Sequence, residues 1–208
     1  DGIYNGAVDN ASGTAAILEI GQAFIANPPE RSVMILAVTA EESGLLGSAY
    51  YGEHPLVPYS QTVGGINIDA IMPKGRSRDV IVVGYGASEL EDILTEEAAA
   101  QDRYIVPDPS PEAGYFYRSD HISLAKHGLP MLYADGGIDL IEGGSEAGEA
   151  IAADYGANRY HGPADEYSAD WQMDGMVEDV TLLYNVGARL ANSDAWPNWY
   201  EGNEFRAL

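Results

Sequence analysis

The sequence predicts an α/β fold in which a central β-sheet is covered by helices on both faces. Apolar runs of strand length alternate with amphipathic segments of helix length along most of the chain. The run SVMILAVT at residues 32–39 is apolar almost throughout, which is typical of a strand buried on both faces. With 208 residues, of which 46% are hydrophobic and 21% charged, the chain is long enough for one domain with a substantial core.

The first half of the chain predicts two helices and three strands. A loop rich in Gly, Asn and Asp leads into the first helix, for which Ser12 is the predicted N-cap. An apolar stripe of Ile17, Ile20 and Phe24 gives this helix a buried face, and an Asn-Pro-Pro sequence ends it. The predicted helices span residues 12–26 and 45–51, and the predicted strands span residues 32–39, 63–70 and 79–83.

The second half predicts four helices and one strand. The first of these helices begins near Ser88 and carries acidic residues in its first turn, where the helix dipole favours them. Residues 102–117 contain three prolines and predict a loop, and Gly128 is the expected C-cap of the second helix. The predicted helices span residues 88–101, 119–127, 145–155 and 174–192, and the short strand spans residues 130–134.

The chain is strongly acidic and contains no cysteine. Thirty-three Asp and Glu residues against ten Lys and Arg residues give a formal net charge of −23. Such a surface repels the phosphates of nucleic acids, so no nucleic-acid partner is expected. A solvated acidic surface accounts for most of these residues, since metal ligation requires only a handful of them. Without cysteine, any zinc site must be built from His, Asp and Glu.

Two adjacent carboxylates, Glu41 and Glu42, follow the predicted strand at residues 32–39. Ligand sites of α/β sheets lie in the loops beyond the carboxyl ends of the strands. Neighbouring side chains point in different directions, so one carboxylate can bind a metal while the other faces the substrate. A zinc hydrolase needs this division, because its ligands lower the pKa of a water to about 7 and a free base takes the proton. The pair is also compatible with two acids in the first turn of a helix, where the dipole favours them.

Three further residues, Asp9, Asp69 and His161, are candidates for the same site. Asp9 stands in NGAVDNASG, where it is alternatively a capping acid before the first helix. Asp69 ends the strand NID, where it is alternatively an acid in a turn. His161 stands in the polar loop RYHGPADE, and a lone histidine in a loop more often has no ligand role. Taken singly, each residue therefore has an ordinary explanation.

Five segments of the chain, taken together, resemble peptidase family M28, the zinc peptidases that include bacterial leucyl aminopeptidases and the related glutaminyl cyclases. The segments are, in order, NGAVDNASGTAAILE, AEESGLLGS, NIDAI, SDHISLAKHGLP and YHGPADEY, and they extend from Tyr4 to Tyr167. The resemblance implies a three-layer α/β sandwich with a mixed, mostly parallel central sheet flanked by helices. It also implies a zinc-dependent aminopeptidase that releases N-terminal amino acids from peptides by metal-activated water.

The resemblance implies a role for each candidate residue. Asp9 would bridge two zinc ions, which lie about 3.5 Å apart in such sites. Glu42 and His161 would complete one metal site, and Asp69 would bind the second ion. Glu41 would be the general base that takes a proton from the water and passes it to the leaving amine. A cis peptide bond is expected after the bridging aspartate, Asp9.

Four other residues lie near these motifs. Asp120 and His121, in the SDH segment, match a family motif near the site that is not among the zinc ligands, so we expect them to orient the ligands or to support the structure. Tyr115 and Tyr117 stand just upstream, where a family tyrosine can donate a hydrogen bond to the oxyanion.

One ligand of the family pattern is missing from this sequence. The second zinc ion should have a histidine from a His-x-Asp motif shortly before Asp9, and no residue here supplies it. We therefore expect residues 1–208 to be a single M28-type peptidase domain that is N-terminally truncated relative to the family. The first strands of the family's sheet would then lie in the missing part, and the remaining sheet would expose an edge. A natural single-zinc enzyme is the other explanation, because glutaminyl cyclases use one zinc on this fold.

Three functions remain open for this site. The first is an aminopeptidase, the second is a carboxypeptidase or glutaminyl cyclase on the same fold, and the third is a non-catalytic fragment or binding module. A carboxypeptidase needs a basic group for the substrate carboxylate, for which Arg118 is the candidate near the motifs. The scarcity of bases favours recognition of a substrate amine, and the retained Glu41 argues against a pure binding module.

The resemblance also implies peptide substrates and a secreted or periplasmic location. No run of about 18 apolar residues occurs, so no membrane span is expected. The oligomeric state does not follow from the sequence.

Overall fold

A four-stranded sheet forms the centre of residues 2–206, the residues that the structure, a computed structural model, describes. The strands are β1 (Gly65–Asn67), β2 (Asp79–Val82), β3 (Tyr104–Pro107) and β4 (Met131–Gly136), and in space they follow the order β1–β4–β2–β3. β1 pairs parallel with β4, β2 pairs parallel with β3, and β2 pairs antiparallel with β4, so the sheet is mixed and mostly parallel.

Six α-helices surround the sheet within the described residues. The first, third and sixth cover one face, where Leu94 and Val186 pack in one apolar cluster with Leu132 of β4. The second and fourth cover the other face together with the C-terminal segment, whose Trp199 is fully buried in a cluster with Ile122. Each of these buried side chains stabilises the fold by about 1.5–3 kcal/mol in transfer free energy. The helices are α1 (Ala11–Ala26), α2 (Leu46–Glu53), α3 (Leu90–Ala100), α4 (His121–Ala125), α5 (Gly144–Asn158) and α6 (Met173–Ala191).

This architecture confirms the predicted fold class, a three-layer α/β sandwich with a mixed, mostly parallel central sheet flanked by helices. All six predicted helices are present, with ends shifted by a few residues. None of the helices within residues 2–206 combines the length and the apolar composition that crossing a membrane requires.

The parallel pairing of β1 and β4 brings the carboxyl ends of these strands to one edge of the sheet. Asn67, the last residue of β1, is aligned with Tyr133 of β4. Asp69 follows two residues later and therefore lies beside the end of β4. The pKa of Asp135, in β4, is raised to about 7, first by burial and then by the charge of Asp69. This edge carries the candidate functional residues.

The predicted strand at residues 32–39 is wrong. Backbone groups of residues 32–38 form no hydrogen bonds with other described residues, and the side chains of Val33, Met34 and Ile35 are 40–44% exposed. The segment nevertheless lies between helices of the two layers. The side chain of Ile35 lies beside Gly21 of α1, and the sulfur of Met34 accepts a hydrogen bond from the Tyr51 hydroxyl of α2. The apolar pattern suits a strand, but within residues 2–206 no neighbouring strand pairs with it.

The strand β3 was not predicted, because residues 102–117 were expected to be a loop. Tyr104 and Pro107, at its two ends, are exposed, and among residues 2–206 the strand pairs on one side only, with β2. Proline is tolerated at such a sheet edge because one side of the strand has no ladder partner. An edge strand of four residues with proline therefore resembles a loop at the level of sequence.

Candidate active site

The loop before α1 presents the carboxylate of Asp9 at the start of that helix. Asn10 is the N-cap, because its Oδ1 atom accepts a hydrogen bond from the N–H of Gly13 at 2.9 Å. The predicted N-cap, Ser12, is therefore wrong by two positions. The peptide bond between Asp9 and Asn10 is cis, as the family resemblance implies.

Ser12 and Gly13 fasten this loop to the chain that follows β1. The Ser12 hydroxyl donates to the carbonyl of Val8 at 2.6 Å and accepts from the N–H of Ile71 at 2.8 Å. Gly13 lies so close to that chain that a Cβ atom at its position would stand 2.7 Å from the carbonyl oxygen of Asp69. A side chain at this position would force the Asp9 and Asp69 loops apart.

Glu41 and Glu42 lie in a tight 3-10 turn, Glu41–Ser43. The chain enters this turn through Ala40 with φ 59° and leaves it through Gly44 with φ 99°. A left-handed conformation costs a residue with a side chain about 1–2 kcal/mol, so other contacts must hold Ala40 in place. Within the turn Glu42 is exposed and Glu41 is half-buried, so the two neighbouring carboxylates have different surroundings.

The side chains of Asp9, Glu42 and His161 come together in space. The Nε2 atom of His161 lies 3.1 Å from Oδ2 of Asp9 and 3.2 Å from Oε1 of Glu42. One potential ligand atom from each of the three residues lies within 4.8 Å of the other two. The ring of Tyr160 stacks on the His161 imidazole with a centroid distance of 3.7 Å, which limits its rotation.

Asp69 lies outside this trio but close to it. Its Oδ2 atom accepts a hydrogen bond from the Ser119 hydroxyl at 2.7 Å, and its Oδ1 atom accepts the N–H of Ala70 at 3.0 Å. Ser119 in turn accepts a hydrogen bond from the side-chain amide of Asn67 at 2.8 Å. Three of the four predicted metal ligands are therefore clustered, and the fourth is held at the margin of the cluster by Ser119.

Burial and neighbouring carboxylates raise the pKa values of Asp9 and Glu41. Burial, followed by the charges of Asp69 and Glu42, raises the pKa of Asp9 to about 6. Burial and the same two charges raise the pKa of Glu41 to about 7. His161 lowers the pKa of Asp9 but only partly offsets these effects. A bound cation would relieve this repulsion.

The donor set suits a zinc ion. Zinc takes imidazole nitrogen together with carboxylate oxygen, whereas magnesium and calcium prefer oxygen ligands alone. Asp9, Glu42 and His161 supply two carboxylates and one imidazole. Three protein ligands with a remaining open position are typical of catalytic zinc sites.

Asp120 and His121 stand at the start of α4. His121 is almost completely buried, between the rings of Phe116 and Tyr133, and neither of its ring nitrogens has a hydrogen-bond partner among residues 2–206. Burial lowers the pKa of His121 to about 4, so its ring is neutral at pH 7. Burial raises the pKa of Asp120, whose charge contributes to the raised pKa of Glu41.

The two tyrosines upstream have contacts of their own. Tyr117 is exposed, and its hydroxyl donates to Glu204 at 2.7 Å. Tyr115 is also exposed and lies beneath the guanidinium of Arg118, 5.9 Å from the ring centroid. Neither tyrosine belongs to the Asp9–Glu42–His161 cluster, so an oxyanion role for them stays a prediction.

Sequence reasoning missed three residues that shape this site: Ser119, Tyr160 and Asp165. Ser119 and Tyr160 stand next to the predicted residues Asp120 and His161, so proximity in sequence was an available signal. Asp165 accepts hydrogen bonds from the Asp9 loop, which is more than 150 residues away in sequence, and no local pattern indicates that contact.

The fold is that of solved aminopeptidase structures. A zinc aminopeptidase from Bacillus subtilis, BSAP, superposes with a TM-score of 0.61 at 17% identity, covering 98% of this chain and 48% of that one. An aminopeptidase from Aneurinibacillus sp. strain AM-1 superposes with a TM-score of 0.59 at 19% identity, covering 91% of this chain and 40% of that one. At such identities the likeness concerns the fold alone.

Sequence similarity identifies the family. Residues 1–184 match the model of Peptidase family M28, so the chain belongs to that family. A stretch of 49 residues is 43% identical to aminopeptidase YwaD of Bacillus subtilis and covers 24% of this chain and 11% of that protein. The chain thus spans less than half the length of these relatives.

Proposed function

We propose that the protein is a zinc-dependent aminopeptidase, with its metal site at Asp9, Glu42 and His161. The observation that carries this proposal is the convergence of two carboxylates and one imidazole within 4.8 Å, at the carboxyl edge of the sheet of an M28 family member. Asp69 lies near enough to serve a second ion, for which this sequence provides no histidine partner upstream of Asp9.

When bound, zinc would supply Lewis acidity, lowering the pKa of a water and polarising the peptide carbonyl. The residues of the chain provide the rest of the chemistry. Glu41, adjacent to Glu42 but outside the ligand trio, is free to act as the general base. In the metal-free protein burial, followed by the charges of Asp69 and Glu42, raises the pKa of Glu41 to about 7. As a carboxylate it can take a proton from water and later pass it to the leaving amine.

The surroundings of the trio favour an amine over a carboxylate in the substrate. Asp69, Glu41, Asp120 and Asp135 all carry carboxyl groups close to one another, so this region attracts a cation such as a free α-ammonium group. This preference supports an aminopeptidase over a carboxypeptidase.

One cation, Arg118, lies at the border of the site. Burial and the charge of Asp9 raise the pKa of Tyr160 to about 12, and the charge of Arg118 offsets part of this rise. The charge of Arg118 therefore reaches Tyr160, which stacks on His161, and it could attract the carboxylate end of a short peptide whose free amine is bound elsewhere in the site.

The test is hydrolysis of aminoacyl anilides, with and without a zinc chelator, on substrates with a free or a blocked amine. We expect turnover of free-amine substrates only, and its loss on chelation. Glu41→Gln should retain zinc but lose activity by about 10²–10⁴-fold, because it removes the base and leaves the ligands. Glu19→Gln, at an exposed position of α1, is the matched control and should keep wild-type activity. Undiminished turnover in Glu41→Gln would exclude Glu41 as the base.

A further inference from the structure

Asp165 accepts hydrogen bonds from three consecutive backbone amides of the Asp9 loop. The N–H of Ala7 donates to its carbonyl oxygen at 3.1 Å. The N–H of Val8 donates to its Oδ1 atom at 3.0 Å, and the N–H of Asp9 donates to its Oδ2 atom at 2.9 Å. Asp165 is only 2% exposed, so these hydrogen bonds do not compete with bulk water.

Asp165 also belongs to the loop that carries His161. Successive turns shape this loop, since the N–H of Gly162 donates to Arg159 at 2.9 Å and the N–H of Asp165 donates to Gly162 at 3.1 Å. Within it His161 has a left-handed backbone with φ 53°, and its Nε2 atom lies 3.1 Å from Oδ2 of Asp9. The loop therefore contacts Asp9 at both ends, at the backbone through Asp165 and at the carboxylate through His161.

Helix α5 contributes a further contact to the same carboxylate. The hydroxyl of Tyr155, a buried residue of α5, donates to Oδ2 of Asp165 at 3.3 Å. With this contact, the orientation of the Asp165 carboxylate is fixed from two directions, by the Asp9 loop and by α5.

We propose that Asp165 is a positioning residue for the metal site, which fixes the distance and angle between the candidate ligands Asp9 and His161. This inference rests on the metal site of the proposed function. Partners that orient metal ligands affect metal affinity because a displaced ligand must be reorganised when the ion binds. A merely structural anchor would instead contribute to stability and leave metal affinity unchanged.

The chain offers a matched control for that alternative. Asp79, at the start of β2, is likewise buried, and its carboxylate also accepts two consecutive backbone amides, from Ile138 at 3.2 Å and Asp139 at 2.8 Å. That loop carries none of the candidate ligands. Replacing either aspartate by asparagine turns one carboxylate oxygen into an amide that cannot accept a backbone N–H, so both variants lose a comparable contact.

The experiment compares wild-type protein, Asp165→Asn and Asp79→Asn after removal of bound metal. Zinc affinity is measured by competition with a chromophoric chelator, the visible spectrum of the cobalt-substituted protein is recorded, and denaturant unfolding checks that each variant is folded. We expect Asp165→Asn to bind zinc about 10–100-fold more weakly and to shift the cobalt spectrum. Asp79→Asn should lose stability but match the wild type in both metal readouts.

Wild-type zinc affinity and an unchanged cobalt spectrum in folded Asp165→Asn would overturn the inference. Should Asp165→Asn fail to fold, Tyr155→Phe removes one hydrogen bond to the same carboxylate, and we expect zinc affinity to fall about threefold. Wild-type zinc affinity in Tyr155→Phe would then also overturn the inference. Absence of zinc binding in the wild type would instead contradict the proposed function, so the two failures are distinguishable.

Discussion

Asp9 is held at its backbone and at its carboxylate by different parts of the chain. Its N–H donates to Asp165, its carboxylate lies against His161, and the helix that follows is capped by Asn10. A side chain fixed in this way loses little conformational freedom when it binds an ion, which favours binding. The position of Asp9 relative to Asp69 depends in addition on the absence of a side chain at Gly13.

Gly13→Ala should therefore damage the site. Its Cβ atom would stand 2.2 Å from Oδ1 of Asn10 and 2.7 Å from the carbonyl oxygen of Asp69, so the two loops must separate. We expect a loss of about 1–3 kcal/mol in the free energy of unfolding, together with weaker zinc binding. Denaturant unfolding and chelator competition measure the two effects.

Gly21→Ala, in the same helix, is the matched control for that substitution. Its Cβ atom would meet a side-chain carbon of Ile35 at 3.3 Å, and the flexible Ile35 can adjust. Helix propensity favours alanine by about 1 kcal/mol, so we expect stability near that of the wild type and unchanged zinc affinity. Equal losses of zinc affinity in both variants would show that the close approach at Gly13 does not set the site geometry.

At the scale of elements, the helices were predictable and the sheet was only partly so. Helix signals are local, as in the acidic first turn of α3 and the apolar stripe of α1. Strand formation depends on a partner that no local pattern identifies, which is why residues 32–39 were assigned wrongly. For the same reason the role of Asp165 could not be predicted, because its hydrogen-bond partners Val8 and Asp9 are close to it in space but far from it in sequence.

The unpaired backbone of residues 32–38 should be visible in hydrogen exchange. These amides have no hydrogen-bond partner within the described residues and no neighbouring strand, so we expect exchange within the shortest labelling time. The amides of β4, which pairs on both sides with β1 and β2, should be protected for far longer. Protection of residues 32–38 comparable to that of β4 would mean that another strand pairs with them in solution.

At the scale of the whole molecule, the net charge of −23 makes carboxylate repulsion a determinant of stability. Several acids are buried or crowded where repulsion is strongest. The pKa of Glu41 and that of Asp135 are both raised to about 7, chiefly by burial, from ordinary values of 4.5 and 3.8. These groups ionise in the folded protein only near neutral pH.

Metal-free protein should consequently lose stability between pH 6.5 and pH 8. A carboxyl with a raised folded pKa holds its proton more tightly in the folded state, so stability falls as pH rises through that pKa. His121 opposes this trend mainly below about pH 7.5, because its pKa is lowered to about 4 in the folded protein while an unfolded histidine, with a pKa of about 6.5, still binds protons there. Its remaining effect above pH 6.5 is smaller than the combined effect of Glu41 and Asp135. Unfolding in urea at the two pH values, with chelator present, measures the effect.

Saturating zinc should remove or reverse this pH dependence. Asp9, with a pKa of about 6, must lose its proton to bind a metal, so zinc affinity and its stabilising effect both rise with pH. A metal-free protein that grows more stable from pH 6.5 to pH 8 would contradict the electrostatic account of the site.

The central claim, that Asp9, Glu42 and His161 hold a zinc ion, is tested most directly by equilibrium dialysis against zinc. We expect about one tightly bound zinc ion per chain in the wild type. His161→Ala should lose it, whereas His54→Ala, at an exposed position outside the cluster, should keep it. Equal zinc binding by His161→Ala and the wild type, or none by the wild type, would contradict the claim.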